Sequence, residues 1–217
     1  MQIKKLFLQN FRNYERENFE FSEGLNVLFG KNAQGKTNLL ESVWMLSGAK
    51  SFRASKEAEL VQRGENWSRI TGCIEKDGET DPMTLEITVR MDESGRRASR
   101  TAKKNGVDYG RAGSLAGEFP CVVFAPGHIG MVSGAPEGRR RFLDAALCQL
   151  YPGYLENLRR YTRALLQKNT FLKDCRNAPG MYPADDLLDT YDMQLAHYGA
   201  AIAARRLEYC KALAAAA

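Results

Sequence analysis

Hydrophobic and polar positions change their rhythm twice along the chain. Near the N-terminus Ile3, Leu6 and Leu8 are apolar within a strand-length stretch, and Phe19 and Phe21 alternate with acidic residues, a pattern that predicts strands. Residues 25–29, Leu-Asn-Val-Leu-Phe, form a short apolar run ending at Gly30 and predict a buried strand. From Thr37 the apolar positions Leu39, Leu40, Val43, Trp44 and Leu46 take helical spacing, so the local order is strand, glycine-rich turn, helix. Residues 69–110 then read as a meander of strands. Residues 83–90 alternate with period two, and Asn105-Gly106 signals a tight hairpin turn. Residues 120–124 predict one more strand, closed by Ala125-Pro126-Gly127.

Beyond Glu137 the rhythm becomes helical throughout. Leu155, Leu158, Thr162, Leu165, Asn169 and Leu172 fall at spacings of three and four, as do Leu188, Tyr191, Leu195, Tyr198, Ile202 and Arg205. Between them lie the breakers Asn177-Ala178-Pro179-Gly180 and Pro183. Two narrow stripes with near-heptad period, joined by such a loop, predict an antiparallel helical hairpin. The expected division is a lobe over residues 1–126 and a helical arm over 127–217. The last helical pattern runs into Ala214 to Ala217 without a capping residue, which reads as a chain cut short.

Composition narrows the classes. With 44% hydrophobic and 26% charged residues the chain reads as an ordinary globular protein, and no apolar run approaches the roughly 20 residues of a bilayer-spanning helix. The first eleven residues alternate instead of forming a signal-peptide core, so a cytoplasmic location is expected. Five cysteines are scattered with no CxxC pair and predict reduced thiols, and two histidines give poor support for zinc. The net charge of +5 permits an anionic partner without demanding one. Between residues 137 and 180 nine basic residues face four acidic ones, an excess of five that equals the net charge of the whole chain, so the remainder is balanced.

The chemistry is carried by Gly30-Lys31-Asn32-Ala33-Gln34-Gly35-Lys36-Thr37, which fits G-x-x-x-x-G-K-[ST] at every fixed position. Gly30 and Gly35 let the backbone curl so that successive N–H groups point at phosphate oxygens. The helix opening at Lys36 adds the positive end of its dipole. Lys36 is expected on the β- and γ-phosphates and Thr37 on Mg²⁺, so ATP with Mg²⁺ is the expected ligand. A GTPase would carry Asn-Lys-x-Asp, which is missing, and Asp92-Glu93-Ser94-Gly95 reads as a hairpin turn. A small nucleotide kinase is poorly supported, because the meander at 69–110 does not resemble a lid region.

Several further segments together carry a resemblance: Leu6-Phe7-Leu8-Gln9-Asn10-Phe11-Arg12-Asn13-Tyr14, then Phe29 through the phosphate loop to Glu41, and Ser51-Phe52-Arg53. Val123-Phe124-Ala125-Pro126, Gly138-Arg139-Arg140-Arg141-Phe142-Leu143-Asp144 and Leu165-Leu166-Gln167-Lys168-Asn169 follow in order. Over about residues 1–175 the chain resembles the N-terminal part of the RecF family of bacterial recombinational-repair proteins, related to SMC and Rad50 ATPase heads. The resemblance implies an α/β fold: a P-loop ABC-type ATPase lobe with a mixed sheet and a helical arm. It implies an ATP-dependent homodimer that associates with double-stranded DNA and with single/double-strand junctions. It also implies action with RecO and RecR to load recombinase. The signature loop and the strand ending in acids would follow the arm, so weak ATPase is expected of a full-length dimer and negligible turnover of these 217 residues.

Within that frame Arg12 and Arg53 are expected beside the nucleotide. Arg139, Arg140, Arg141, Arg159, Arg160 and Arg163 are candidates to neutralise DNA phosphates. Arg96, Arg97, Arg100, Lys103 and Lys104 form a second basic patch. At Gly127-His128 the sequence departs from the acidic residue usual in the family, so no role is carried over to that turn. An arm-and-lobe interaction module with an idle nucleotide site is the alternative.

Overall fold

A computed structural model describes residues 1–79, 81–125, 128, 134–177 and 185–216. The expected turn at Pro126 and Gly127, and the breaker loop from Ala178 to Pro183, lie outside the described residues. The chain divides into two compact units, Met1–Phe124 and Ala125–Ala217.

In the first unit β1 (Gln2–Phe11), β2 (Tyr14–Glu20), β3 (Trp67–Glu75), β4 (Met83–Met91), β5 (Ala98–Lys104) and β6 (Val107–Arg111) form one sheet in the order β2-β1-β3-β4-β5-β6. Every pairing in it is antiparallel. The alternation read from the sequence becomes two faces: Leu6, Leu8, Ile70, Ile74, Leu85, Ile87 and Val89 are fully buried. The β5–β6 turn has Asn105 and Gly106 at φ +50° and +80°, the left-handed pair a two-residue hairpin demands. The β4–β5 turn is built on Asp92, whose carboxylate accepts from the Ser94 hydroxyl at 2.8 Å and from the amides of Arg96 and Arg97. These donors, the Ser94 hydroxyl first, hold Asp92 below the usual carboxylate range.

The mixed character expected of the sheet is absent among the described residues. Residues 25–29 and 120–124, both expected as strands, carry no ladder, and Leu25, Val27, Phe29, Val122 and Phe124 are exposed. A strand exists only through its neighbours' hydrogen bonds, and none of the described strands pairs with these runs.

Helix α1 (Lys36–Leu46) packs on the sheet through Leu39, Met45 and Leu46. Contact is close at Gly72 of β3, where a Cβ would stand 2.4 Å from the Leu46 side chain. The face that α1 buries differs from the one its apolar residues predict. Leu40 is half exposed, whereas Glu41 and Ser42 are sealed from solvent. Two short 3₁₀ turns, Glu57–Leu60 and Ala112–Leu115, complete the unit.

The second unit holds α2 (Pro136–Leu150), α3 (Tyr154–Asn177) and α4 (Asp185–Ala216). Helices α3 and α4 run antiparallel, since Tyr161 packs on Gly199, Lys168 pairs with Asp192 and Phe171 meets Tyr191. On α4 the predicted stripe holds from Leu188 to Ile202, after which Arg206 and Tyr209, not Arg205, turn inward. On α3 the stripe is displaced by about one residue from the leucines. Tyr154, Leu158, Tyr161, Ala164, Lys168, Phe171 and Cys175 face inward, and Leu165, Leu166 and Leu172 are exposed. Aromatic rings, one alanine and a lysine stem fill this seam, so a leucine-weighted reading misses the register. Leu147 of α2, Tyr154 of α3 and Ile202 of α4 form the buried core of the unit. No described helix is long and apolar enough to cross a membrane.

Candidate functional site

The glycine-rich loop leads into the N-terminus of α1. Gly30 stands at φ +144° and Gly35 at φ +101°, conformations that side-chain-bearing residues rarely adopt. A Cβ at Gly35 would also lie 2.6 Å from the Tyr14 hydroxyl and 2.9 Å from Asn13 Nδ2, so both side chains would have to shift. The loop therefore rests directly on the β1–β2 turn. Burial raises the Tyr14 phenol above its ordinary pKa, with the Glu17 carboxylate adding to the effect.

No side chain caps the N-terminus of α1, and no acidic residue occupies its first turn. Its leading N–H groups and the positive end of its dipole are thus left to an anion. Lys36 reaches back over the loop and donates to the carbonyl oxygens of Gly30 at 2.7 Å and Lys31 at 2.6 Å. Thr37 is exposed in the same first turn, and Lys31, Asn32, Ala33 and Gln34 are exposed along the loop. Ala33 at φ +65° adds a left-handed step that helps to curl the chain. The residues present fit a polyphosphate: backbone donors, one flexible ammonium and a hydroxyl suited to a hard cation.

Behind the loop lies a polar network that the sequence reading did not anticipate. The Glu41 carboxylate, with no exposed surface, accepts from Arg12 Nε at 3.0 Å and Arg12 Nη2 at 2.7 Å. Arg12 also donates Nη1 to the Glu59 carbonyl and its backbone N–H to the Leu60 carbonyl, and sits at φ +58°. Arg53 Nη2 lies 3.6 Å from Glu41 and donates to Asn38 Oδ1 at 2.7 Å. The Ser51 hydroxyl donates to Glu41. Asn38 Nδ2 donates to Asn13 Oδ1, and Asn13 Nδ2 to the Gln34 carbonyl at 3.4 Å. A continuous chain of hydrogen bonds and one ion pair therefore joins the loop backbone to Glu41. The structure brings Arg12 and Arg53 together, but on a carboxylate. A glutamate on the apolar side of a helix, between two arginine-bearing segments, is the signal that could have revealed it.

Of the second basic patch, two members are committed elsewhere in the unit. Arg100, 9% exposed, pairs with Glu57 at 3.1 Å, and Lys104 pairs with Glu118 at 2.7 Å. In the helical unit Arg141 pairs with Glu137 and Arg160 with Glu156. Arg160 also reaches the Tyr198 hydroxyl at 3.3 Å, and Arg139 donates to the Gly134 carbonyl. Arg140 and Arg163 are exposed, and Arg159 is half-buried. Arg160, Arg163, Gln167, Gln194 and Tyr198 line an open groove of about 280 Å³ between α3 and α4. His128 donates its backbone N–H to the Ala125 carbonyl at 2.8 Å. No disulfide joins the five cysteines, and burial pushes the Cys121 and Cys148 thiols up to about 11.

"DNA replication and repair protein RecF" of Bacillus cytotoxicus is 35% identical over 96% of this chain and 53% of its own length. The protein of the same description from Oceanobacillus iheyensis is 35% identical over 98% of this chain and 55% of its own. The chain thus spans about half the length of the curated relatives it matches. Two solved structures, of the recombination mediator protein RecF with ATP and as RecF-ATPrS, superpose with a TM-score of 0.85 at 34% and 33% identity. They are covered over 54% of their length by 96% and 97% of this chain. With residues 2–110 matching the family described as RecF/RecN/SMC N terminal domain, and RecF proteins aligned along nearly all of its length, the chain belongs to that family.

Proposed function

We propose that this chain is the ATP-binding lobe and helical arm of a RecF-like DNA-repair ATPase. The observation that carries the reading is the uncapped N-terminus of α1, preceded by a loop with Gly30 and Gly35 at positive φ and overhung by the Lys36 ammonium. Residues 30–36 hold the phosphates, Lys36 neutralises those farthest from the sugar, and Thr37 offers its hydroxyl to Mg²⁺. Arg53, hydrogen-bonded to Asn38 in the first turn of α1, is a further cation near the phosphates, with Arg12 paired to Glu41 behind it. When bound, the nucleotide supplies the charge and the bond whose hydrolysis an acidic residue and a partner's signature loop would promote. Solved relatives described with ATP support this choice of ligand.

The exposed and half-buried arginines of α2 and α3, with Arg163 foremost, neutralise DNA phosphates without reading bases. Junction-containing and double-stranded DNA, RecO- and RecR-like proteins, ATP-dependent pairing and a cytoplasmic setting complete the proposal. The arm-and-lobe module with an idle nucleotide site is the reading it displaces.

The test is a titration of fluorescent ATP with and without Mg²⁺, using Lys36→Ala as control. Removing a charge-assisted contact costs about 1.5–3 kcal/mol, so the variant binds at least about tenfold more weakly while keeping its fold. Equal binding by both proteins overturns the assignment. In the same series, DNA affinity that ignores ATP in the longer protein would favour the idle-site reading.

A further inference from the structure

We infer that Glu41 is a positioning residue of the nucleotide site, acting through Arg53. The inference rests on the nucleotide reading above. One carboxylate here faces two guanidinium groups, and the Glu59 carboxylate acts on Arg12 and not on Arg53, so Arg53 is the guanidinium with charge to spare. Arg12, 14% exposed at its side chain, engages both oxygens of Glu41 and satisfies it. The surplus charge therefore belongs to Arg53, whose side chain is 39% exposed.

Glu41 holds Arg53 in two ways at once. It lies 3.6 Å from the guanidinium. It also accepts the Ser51 hydroxyl, and Ser51 Oγ in turn accepts the backbone N–H groups of Arg53 at 2.9 Å and Ala54 at 2.7 Å. The backbone carrying Arg53 and its cationic tip are thus referred to one buried carboxylate. Glu41 belongs to α1, the helix whose first turn receives the phosphates. Asn38 in that first turn accepts Arg53 Nη2 at 2.7 Å, which closes the circuit. The arginine and the phosphate-binding turn consequently move as one body, and the orienting cost is met before ligand arrives.

A buried ion pair that only stabilises the fold would look similar in a static view, and additivity separates the two. MgATP affinity is measured for the wild-type protein, Glu41→Gln, Arg53→Gln and the double variant, with a melting curve for each. If Glu41 acts through Arg53, each single variant loses about tenfold in affinity, and the double is no weaker than Arg53→Gln alone. Losses that multiply, or full affinity in Glu41→Gln, overturn the inference. Should Glu41→Gln fail to fold, Ser51→Ala takes its place in the cycle. It leaves the Glu41–Arg12 pair intact and unhooks only the segment bearing Arg53. A loss that multiplies with Arg53→Gln again overturns the inference, and one that does not supports it. A wild-type protein that binds no MgATP overturns the nucleotide reading and this inference with it. Binding with a multiplicative cycle overturns this inference alone.

Discussion

In the first unit Glu41 is sealed from solvent between Arg12, Arg53 and Ser51, whereas in the second Asp144 keeps 18% of its side chain exposed. Asp144 accepts Nε and Nη2 of Arg206 at 2.8–3.0 Å and the Tyr154 hydroxyl at 2.6 Å. Both are carboxylates gripped by a forked guanidinium, but their neighbours differ. Glu41 has a second arginine and a path of hydrogen bonds leading to a ligand loop. Asp144 joins α2, α3 and α4, and its tyrosine partner is neutral. One network keeps surplus charge beside a phosphate site. The other is balanced and holds helices together. Burial and charge count together, more than the presence of an ion pair, distinguish a poised site from a structural clasp.

The largest expected difference between them is in stability. Glu41→Ala leaves Arg12 buried without its partner and should cost about 3–5 kcal/mol in urea unfolding. Asp144→Ala opens a pair that water already reaches, so its cost should be about 1–2 kcal/mol after allowance for screening. Equal losses would break the comparison.

A smaller, pH-linked effect is expected of Tyr154 in the second unit. Burial, reinforced by the Asp144 carboxylate, raises the Tyr154 phenol well above its ordinary value of about 10. A raised folded-state value means the stabilisation is complete below about pH 10 and is lost as pH climbs toward the folded value. Phenolate absorbance should therefore show Tyr154 titrating last, after Tyr14, and this last step should vanish in Tyr154→Phe. Its persistence in that variant would assign the effect elsewhere.

The sequence disclosed most where chemistry and periodicity are local. The loop at 30–37, the Asn105-Gly106 turn and the Leu188-to-Ile202 stripe are each written within a few residues. It disclosed least where a residue's partner is remote. Glu41 lies 29 positions from Arg12, and Asp144 lies 62 from Arg206, so no window along the chain contains either pair. Residues 25–29 have the composition of a strand, yet strand formation depends on pairing that composition does not encode. The α3 stripe was displaced because Tyr161, Ala164 and Lys168 fill a seam that leucine spacing assigned to other positions.

That seam also acts as a registration mark. Tyr161 needs the missing side chain of Gly199, where an added Cβ would approach its ring to 3.2 Å, and Lys168 needs Asp192. Sliding α4 by one turn, about 5.4 Å, would set a larger residue against the tyrosine and strand the aspartate. These two contacts favour one alignment of the helices. Slippage between the two helices would cost both contacts before any new one formed.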